Sequence, residues 1–548
     1  MRPVVLAAIG LALAACGGGA PPADLALFGK VWTGDPANPL AAAVAVRGDS
    51  IVLVGDSAAV AALVGPATER IDQPAGLIVP GFIDDHVHLF MGGFGLASVD
   101  LRTAATPEEF TRRIAAFAAT LAPGEWIQGG SWDHELWPGT PLPDRSWIDS
   151  VTPNNPVFVN RLDGHMSLAN TAAIKAAGLD RTMKDIPGGQ IVRRPDGELS
   201  GVFKDEAGNP ISAVIPAPSQ SQMDSALSRA MRHAASLGVT AIASVSSSWA
   251  DIAALRRAQA AGRLTFRVSS YVPLGDWHAM AESLRVNGPG DDWLRTAGVK
   301  GYVDGSLGST TAYFDQPFSD APGTAGFLTT PEDSLRRWIT AADSAGVQVV
   351  VHGIGDRANG LLLDLFDEAA RKNGARDRRF RIEHAQHLRP ADIPRFAALG
   401  VVPSMQPYHA ADDGRWAEKR IGPERIKTTY AFRSLLDAKA RLVFGSDWTV
   451  APLDPLLGVK AAVTRQTIDG AKVFVPEERI TVEEALRAYT VDNAWSMYLD
   501  RSVGSVTVGR KADLAVLNRD LLTGAPAALD SARVVATVVG GKVVYRAP

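Results

Sequence analysis

Most of the chain alternates between short runs of Val, Ile and Leu and longer stretches rich in Ala, Leu, Arg and Glu. This alternation is typical of βα units, whose strands form a parallel sheet that is buried on both faces. Eight strand candidates follow one another, at residues 77–88, 238–245, 264–271, 298–304, 347–352, 380–384, 401–405 and 442–447. Because eight is the strand count of a closed barrel, the pattern predicts an α/β fold, a (β/α)8 TIM barrel over residues 77–499. A doubly wound open sheet is the alternative.

Both ends of the chain carry a different pattern, in which short alternating apolar runs are broken by Gly and Asp. Near the C-terminus, Gly540 and Gly541 separate two β-branched runs, and a Gly pair in that position predicts a tight hairpin because glycine accepts positive φ. We therefore expect residues 24–76 and 500–548 to combine into one small β-sandwich domain built from both termini.

The segment between the first two strand candidates, about residues 92–237, is far longer than a barrel connection requires. We interpret it as an inserted subdomain that covers the active-site end of the barrel. Four tryptophans lie in it, Trp126, Trp132, Trp137 and Trp147. They could line a pocket, but packing in the core of the insertion is the expectation for each of them.

Residues 1–15 have the pattern of a signal peptide, with Arg2 followed by an apolar run that is too short to span a bilayer. The run ends in Leu-Ala-Ala before Cys16, the single cysteine of the chain, and residues 16–23 form a Gly/Pro-rich tether. This boundary resembles the lipobox of bacterial lipoproteins, with an ordinary cleaved signal as the alternative. The resemblance implies lipidation of Cys16 and attachment to a membrane of the bacterial cell envelope. Since Gly17 rather than Asp follows the cysteine, we expect the outer membrane, facing the periplasm.

Composition and charge narrow the range of functions. The chain has 55 basic and 59 acidic residues, a net charge of −4, which does not favour nucleic-acid binding because such domains carry a basic excess. One cysteine can form neither an intramolecular disulfide nor a cysteine-rich metal site. Metal chemistry, if present, must therefore use His, Asp, Glu or Lys.

Such residues occur where the predicted barrel strands end, which is the end of a TIM barrel that carries catalysis. His86 and His88 are two residues apart on the first strand, so they point to the same side and can bind one cation. His352, His384 and Asp447 end the fifth, sixth and eighth strands. Neutral imidazoles and carboxylates suit Zn²⁺, and a terminal Asp can also accept a proton from water that the metal has activated.

Lys300 is the least settled of these candidates. It shares a strand face with Tyr302 and Asp304, and a bare ammonium inside a barrel is costly unless it is paired. From the residues alone, an ion pair between Lys300 and Asp304 is the favoured interpretation. The alternative is loss of the charge, by deprotonation or by reaction of the amine with CO₂ to give a carbamate that bridges two metals.

The order and local sequence of these residues resemble the amidohydrolase superfamily, and in particular its amidohydrolase family 3 branch, which includes N-substituted formamide deformylases. The matching strings are PGFIDDHVH at 80–88, DGH at 163–165, DGSLGS at 304–309, HGIGD at 352–356, RIEH at 381–384, SMQP at 404–407, GSD at 445–447 and VGRKADL at 508–514. The resemblance covers nearly all of residues 24–548. It implies a metal-dependent amidohydrolase in a TIM barrel with a companion β-sandwich.

The resemblance also implies roles for individual residues. His86 and His88 would bind the more buried metal, His352 and His384 the second, with a carboxylated Lys300 bridging and Asp447 as ligand and catalytic base. The cofactor would be a divalent metal, Zn²⁺ in the first place, as one or two ions. The reaction implied is hydrolysis of carbon–nitrogen bonds of a small amide-like molecule, other than peptide bonds, by attack of metal-activated water.

Several points stay open from the sequence. His165 in the insertion and His409 after the seventh strand are candidates for substrate binding, with ordering of a loop as the alternative role. A catalytically inactive substrate-binding lipoprotein and another reaction of the superfamily, such as deamination, are alternative functions. The oligomeric state is open, a homodimer included.

Overall fold

The structure is a computed structural model that describes residues 21–523 and 527–548. Cys16, the predicted signal peptide at 1–15 and the first part of the tether therefore lie outside the described residues. Across the part that is described, no helix has both the length and the apolar character needed to cross a membrane.

Eight parallel strands form the centre of the molecule, each hydrogen-bonded to the next along the chain. In order, barrel strands 1 to 8 are Phe82–Val87, Val239–Ser244, Arg267–Pro273, Leu294–Tyr302, Gln348–Gly353, Arg381–His384, Val402–Met405 and Val443–Phe444. All but a few of their residues are buried, as expected for strands that are covered on both faces. The prediction of a TIM barrel is confirmed by this nearly closed sheet.

The first predicted strand, 77–88, is divided in the structure. Its first part belongs to Glu69–Pro80, a strand of the terminal sheet, and its second part is barrel strand 1. The break falls at Gly81, whose N–H donates to the carbonyl of Asp513 and whose position has no room for a side chain, because a Cβ would lie 2.2 Å from Thr240 Oγ1. One apolar run thus serves two sheets, which the hydrophobic pattern does not reveal.

Backbone hydrogen bonds close the barrel between strand 8 and strand 1. The N–H of Asp447 donates to the carbonyl of His86 (2.8 Å), and the N–H of His88 donates to the carbonyl of Trp448 (2.7 Å). These bonds lie at the carboxyl ends of both strands. They place Asp447 directly beside the two histidines of strand 1.

The junction of strand 1 and strand 8 is called the barrel seam below, and two buried polar side chains add hydrogen bonds to it. The Asn493 amide donates to the carbonyls of Ile83 and Phe444 and accepts from the Phe444 N–H, so it bonds both strands. The Asp84 carboxylate accepts from the Ser446 N–H at 2.9 Å. Buried polar groups with such complete partners fix a unique arrangement of the elements that they join.

Helices cover the outside of the barrel. One follows each strand before the next begins or the chain leaves the barrel: Gln220–Ser236, Trp249–Ala260, Trp277–Asn287, Glu332–Ser344, Asp356–Asn373, Ile393–Leu399, Phe432–Asp437 and Pro455–Thr464. Further helices at Pro407–Asp413 and Ala417–Arg425 follow strand 7, and Val482–Ala488 and Val491–Ser496 precede the terminal sheet. The first of them shows why they form: Ser219 and Gln222 make a capping box, and Met223, Leu227 and Met231 on one side are buried.

Strands from both termini form a single seven-stranded sheet. Its strands are Leu25–Trp32, Leu40–Arg47, Ser50–Gly55, Glu69–Pro80, Leu514–Leu517, Val534–Val539 and Lys542–Arg546. The last two form the expected antiparallel hairpin, with Gly540 and Gly541 at φ 55° and 75°. Arg267 of barrel strand 3 makes a buried two-pronged ion pair with Asp513, which joins the barrel to this sheet. The arrangement of these strands as a sandwich of two layers stays a prediction.

The insertion contains a sheet of its own, with six strands, Val99–Asp100, Gly129–Trp132, Phe158–Arg161, Met166–Ala169, Gly189–Arg193 and Leu199–Asp205. Short helices accompany it, at Leu89–Gly95, Pro107–Ala118, Ser146–Asp149, Thr171–Ala176 and Asn209–Ser212. Trp132 and Trp137 stack in its core. Neither of them lines the cavity that opens at the carboxyl end of the barrel. Residues 160–165 and 205–206 of the insertion line that cavity, as a covering subdomain should.

Candidate metal centre

Two imidazoles lie at the carboxyl end of barrel strand 1. His86 is fully buried, whereas the side chain of His88 keeps 18% of its surface exposed. Their Nε2 atoms lie 3.5 Å and 3.2 Å from the same oxygen, Oδ1 of Asp447. His86 and His88 lie at the end of the first barrel strand and Asp447 follows the last one, so residues far apart in the sequence are brought together.

Asp447 follows barrel strand 8 with φ at 57°, a left-handed conformation that a non-glycine residue keeps only where its surroundings fix it. Its Oδ1 atom is buried and has no hydrogen-bond partner among the described residues. Burial acts to raise the pKa of Asp447, but the neighbouring imidazoles of His86 and His88 outweigh it and hold the pKa well below its usual value. An ionised, unpartnered oxygen that faces two imidazole nitrogens is suited to a cation.

The other ring nitrogen of His86, Nδ1, is hydrogen-bonded to a buried carboxylate. This nitrogen lies 2.5 Å from Glu383 Oε2, and Glu383 in turn accepts hydrogen bonds from Arg381 (2.7 Å) and Ser404 (2.8 Å). Burial, and after it the charge of Lys300, lowers the pKa of His86 to about 4. His86 is therefore neutral at physiological pH, with Nδ1–H donating to Glu383 and the Nε2 lone pair directed at Lys300 Nζ, 3.3 Å away.

Lys300 does not pair with Asp304, so the favoured interpretation of this lysine was wrong. The Asp304 carboxylate accepts instead from three backbone N–H groups at 2.8–3.0 Å, those of Tyr313, Ile354 and Gly355. These amides follow strand 4 or strand 5 and satisfy the carboxylate without a side-chain cation. The Lys300 Nζ lies 3.3 Å from His86 Nε2 and 4.6 Å from the centre of the Tyr302 ring. Carboxylation of Lys300 stays a prediction.

His352 and His384 both line the cavity and contact each other edge to face, with ring centres 4.5 Å apart. His384 Nδ1 lies 2.7 Å from Gln406 Oε1, and the residue has φ at 75°. His352 Nε2 lies 3.0 Å from the carbonyl oxygen of Gly305. Burial lowers the pKa of both imidazoles well below the usual value, so both are neutral and able to act as ligands.

Two groups of three side chains bring their ligand atoms within 4.8 Å of one another. One comprises His86, His88 and Asp447, the other His384, His409 and the same Asp447. Like Asp447 Oδ1, the Nε2 atom of His409 is buried without a hydrogen-bond partner among the residues described. Neutral imidazoles and an ionised carboxylate are the ligand set that Zn²⁺ and similar cations take, so the residues fit a divalent metal.

These groups line a cavity of about 650 Å³ at the carboxyl end of the barrel. Every residue that the sequence proposed for the metal or the substrate lines it: His86, His88, His165, Lys300, His352, His384, His409 and Asp447. Their assignment as ligands or as substrate contacts stays a prediction, although their convergence on one cavity is a property of the structure.

His165 reaches the cavity from the insertion and is oriented by Asp205. Its Nδ1 lies 2.6 Å from Asp205 Oδ1, and its ring centre is 5.0 Å from that of His352. Burial acts to lower the pKa of His165, but the hydrogen bond and charge of Asp205 outweigh it and raise the pKa to about 9. At neutral pH the imidazole is therefore a cation, with Nε2–H free to donate.

Three residues that the sequence analysis did not assign complete the site, namely Glu383, Asp205 and Gln406. Each accepts a hydrogen bond from a histidine of the cavity or lies at hydrogen-bond distance from one. Glu383 and Gln406 occur beside the predicted strand ends, so their positions gave a signal that they would lie near the site. Asp205 gave none, because its contact depends on how the insertion folds.

Comparisons with known proteins agree with this geometry. A sequence profile of the amidohydrolase family matches residues 71–545. Protein LONG AFTER FAR-RED 3 of Arabidopsis thaliana is 37% identical over 529 residues, 94% of this chain and 90% of its own length. N-substituted formamide deformylase of Arthrobacter pascens is 30% identical, over 94% of this chain and 97% of its own. The crystal structure of an uncharacterized metal-dependent hydrolase from Pyrococcus horikoshii OT3 superposes with a TM-score of 0.74 at 28% identity, covering 92% and 99% of the two chains.

Proposed function

Since this chain belongs to the amidohydrolase family, we propose that it is a metal-dependent hydrolase of carbon–nitrogen bonds in small amide-like molecules, other than peptide bonds. One observation carries the proposal. The ionised Oδ1 of Asp447 is buried without a hydrogen-bond partner among the described residues and faces the Nε2 atoms of His86 and His88 on the cavity wall. A buried charge in that state is costly unless a cation balances it.

The residues of the site have distinct roles in such a reaction. A bound divalent cation supplies a nucleophile at neutral pH by lowering the pKa of water, and it polarises a carbonyl. Asp447 accepts the proton of the attacking water and passes it to the leaving nitrogen. Glu383 fixes the His86 tautomer, which keeps Nε2 directed at the centre.

The cavity also offers groups to the substrate. His165, held by Asp205, donates Nε2–H to the carbonyl oxygen of the scissile bond, where negative charge develops. At the mouth, Met91 and Leu96 line the cavity and are 47% and 45% exposed, so an apolar substituent can pack there. An amide with an apolar group on one side fits this distribution.

The formamide deformylase relative supports carbon–nitrogen bonds as the target, because the similarity extends over nearly the full length of both chains. The Arabidopsis relative carries a name that describes a different role, so a direct assay has to decide.

Metal-supplemented enzyme is assayed against a panel of N-formyl amides, N-acyl amides, cyclic imides and esters. We expect turnover of at least one amide class and a fall of about 10²–10⁴ in kcat for Asp447→Asn. Turnover of esters alone, or no turnover by fully metallated enzyme, contradicts the proposal.

We propose Zn²⁺ as the metal, since neutral imidazoles dominate the ligand set. Elemental analysis after expression with zinc, manganese or iron identifies the preferred ion. Less than one equivalent of any of them per chain would favour the alternative of an inactive substrate-binding protein.

We also propose that the protein is lipid-anchored through Cys16 in the bacterial outer membrane, facing the periplasm. The support is the sequence alone, a short apolar run that ends in Leu-Ala-Ala-Cys. Because Cys16 is the single cysteine, Cys16→Ser changes no other thiol. We expect wild-type protein in the outer-membrane fraction and the variant in the soluble fraction. Equal partition of both proteins would contradict the anchor.

A further inference from the structure

We propose that Arg102 binds a carboxylate of the substrate, so that the molecule hydrolysed is an amide with an acid group close to the scissile bond. The inference rests on the proposed function and deepens it, because it names a charged part of the substrate. Arg102 belongs to the insertion, where it follows the short strand Val99–Asp100, and it lines the cavity.

Two backbone carbonyls hold the guanidinium of Arg102. Nη1 donates to the carbonyl of Val450 at 2.7 Å, and Nη2 donates to that of Thr449. A guanidinium has five N–H donors, so three of them are left without a hydrogen-bond partner among the residues that the structure describes. The carbonyls therefore fix the orientation of the group and leave donors for a ligand.

The charge of Arg102 is not neutralised by the carboxylates around it. Asp412 attracts it most strongly, but Asp412 makes its ion pair with Arg415. Asp100 accepts from the backbone N–H of Arg102 at 3.0 Å and not from the guanidinium. Burial lowers the pKa of Arg102 below its usual value, which means that the surroundings disfavour the cation.

The second arginine of the cavity shows the contrast. Arg161 lies 3.0 Å from Asp133 and 2.6 Å from Asp163, so two carboxylates balance its charge. Within the described part of the chain, Arg102 has no such ion pair. An arginine stays protonated in a protein, and a half-buried cation of this kind is stabilised by an anion that binds to it. A carboxylate matches the planar fork of N–H donors.

The carbonyls that hold Arg102 lie beside the candidate base. Asp447 and Val450 are the ends of a tight turn, in which the Val450 N–H donates to the Asp447 carbonyl at 2.6 Å. In such a turn the Cα atoms of the first and fourth residues are less than about 7 Å apart. An anion bound to Arg102 would therefore lie within a few bonds of a scissile bond that Asp447 serves.

The apolar mouth of the cavity adjoins the same turn. Thr449, whose carbonyl accepts from Arg102, donates from its hydroxyl to Met91 Sδ at 3.5 Å. The proposed carboxylate site and the apolar surface of Met91 are thus neighbours. An N-acylated amino acid with an apolar side chain carries both groups on the carbon next to the leaving nitrogen. This is the class of substrate that the arrangement favours.

The alternative is that Arg102 only fastens the insertion to the turn after strand 8. Arg113 supplies a matched control, because it holds the same segment of the insertion. Its Nη1 donates to the Asp100 carbonyl at 3.2 Å and to Thr103 Oγ1 at 3.0 Å, and it does not line the cavity. Replacing either arginine loosens the segment, whereas only Arg102 can contact a carboxylate in the cavity.

The test compares two substrates that differ in charge. Formate release from N-formyl-leucine and from N-formyl-leucinamide is measured, for both enantiomers, with metal-supplemented wild type, Arg102→Gln, Arg102→Lys and Arg113→Gln. In wild type we expect kcat/KM to favour the acid by about 10–100-fold, the range of one hydrogen-bonded charge pair.

The variants separate charge recognition from structure. Arg102→Gln should abolish the preference for the acid, mainly through KM, and should leave turnover of the carboxamide within about 3-fold of wild type, since a loss confined to binding leaves kcat unchanged. Arg102→Lys keeps the charge but not the fork, so it should retain part of the preference. Arg113→Gln should retain all of it.

A second measurement needs no turnover. N-methanesulfonyl-leucine and its carboxamide lack a scissile acyl bond, and their binding to the same four proteins is measured by calorimetry. We expect wild type to bind the acid about 10–100-fold more tightly than the carboxamide, and Arg102→Gln to bind both alike. Binding of the acid directly to the metal would be common to all four proteins and would not depend on Arg102.

A wild-type protein that binds and hydrolyses the acid no better than the carboxamide would overturn the inference, whatever the variants do. Equal losses for both compounds in Arg102→Gln, or loss of the preference in Arg113→Gln, would also overturn it, because either result assigns Arg102 to the structure of the segment. Binding of the acid that depends on Arg102, without hydrolysis of any amide, would refute the proposed function and leave this site standing.

Discussion

Glu383 Oε2 lies 2.5 Å from His86 Nδ1, and both side chains are completely buried. Burial acts to raise the pKa of Glu383, but the charge of Arg381 and the contact with His86 outweigh it and lower the pKa below its usual value. The ionised carboxylate therefore fixes the His86 tautomer, and in the proposed metal centre it would strengthen Nε2 as a ligand.

Replacing this carboxylate by an amide tests that role. Glu383→Gln keeps the shape and removes the charge, and we expect metal affinity to fall by about 10–100-fold. Arg381 keeps its ion pair with Asp85 at 2.6 Å, so the variant should still fold. The measurement is chelator competition, with Glu424→Gln at an exposed position as control. Unchanged affinity in Glu383→Gln would show that His86 needs no partner at Nδ1.

The pair of His165 and Asp205 gives a second prediction. Asp205 has φ at 48°, a conformation that Asn also tolerates, so Asp205→Asn removes the charge without changing the backbone. We expect kcat to fall by at least about 10-fold, because a general acid or oxyanion donor is worth about 10²–10⁴, while metal content stays the same. Asp205→Glu restores the charge and should recover part of kcat. A change in KM alone would assign the pair to binding rather than to the chemical step.

Asp163 predicts a pH dependence of stability. Burial acts to raise its pKa, but Arg161 and further partners outweigh burial and lower it from 3.8 to about 2. The stabilisation is therefore fully present above about pH 4 and is lost as the pH falls from there to about 2. By linkage it amounts to about 2 kcal/mol, since each unit of pKa corresponds to about 1.4 kcal/mol.

Urea unfolding of wild type and Asp163→Asn at pH 6, 4 and 3 measures this contribution. The difference in unfolding free energy between the two proteins should be constant from pH 6 to pH 4 and smaller at pH 3. Asp276→Asn, at an exposed position, serves as the control and should show no such change. A difference that is equal at pH 6 and pH 3 would mean that Asp163 contributes through packing and not through its charge.

Asn493 predicts the stability of the barrel seam. Asn493→Ala leaves the Ile83 carbonyl and both polar groups of the Phe444 backbone without their partner in a buried place. Each buried unsatisfied group costs about 1–3 kcal/mol, so we expect a loss of at least about 2 kcal/mol in unfolding free energy. Asn518→Ala, which removes two exposed bonds in the terminal sheet, should cost less than about 1 kcal/mol. Equal losses in the two variants would contradict a special role for the seam.

The sequence predicted the barrel and the converging side chains because both depend on local periodicity. Strands buried on two faces are recognisable as apolar runs. Because the strands of the barrel are parallel, the residues at their carboxyl ends all meet at the same end of the barrel. His86 and His88 share a face by the two-residue repeat of a strand, and the structure places both at the cavity.

Glu383 could not be assigned in the same way. Adjacent residues on a strand point to opposite faces, so a strand with His384 facing the cavity should direct Glu383 outward. His384 escapes this rule because its φ is 75°, which turns the chain at the end of the strand and brings both side chains inward. Such a turn is set by the surrounding packing and leaves no mark in the hydrophobic pattern.

The ion pair expected between Lys300 and Asp304 failed for a related reason. The two residues are four apart on one strand face, but Asp304 lies beyond the end of the strand, where backbone amides from two different loops satisfy it. The contact between His165 and Asp205 likewise joins residues 40 positions apart through the sheet of the insertion. Long-range pairings of this kind require the folded chain.

The seam between the first and last barrel strands has a consequence for biosynthesis. Asp84 and Ser446 are 362 positions apart, and every cation site described above includes Asp447 of a chain of 548 residues. A nascent chain therefore holds the carboxylate of the candidate centre only after the ribosome has translated the last barrel strand. Until then the emerging polypeptide has the candidate imidazoles but no carboxylate from the last strand, so we expect the proposed centre to bind metal only after the whole barrel has been synthesised.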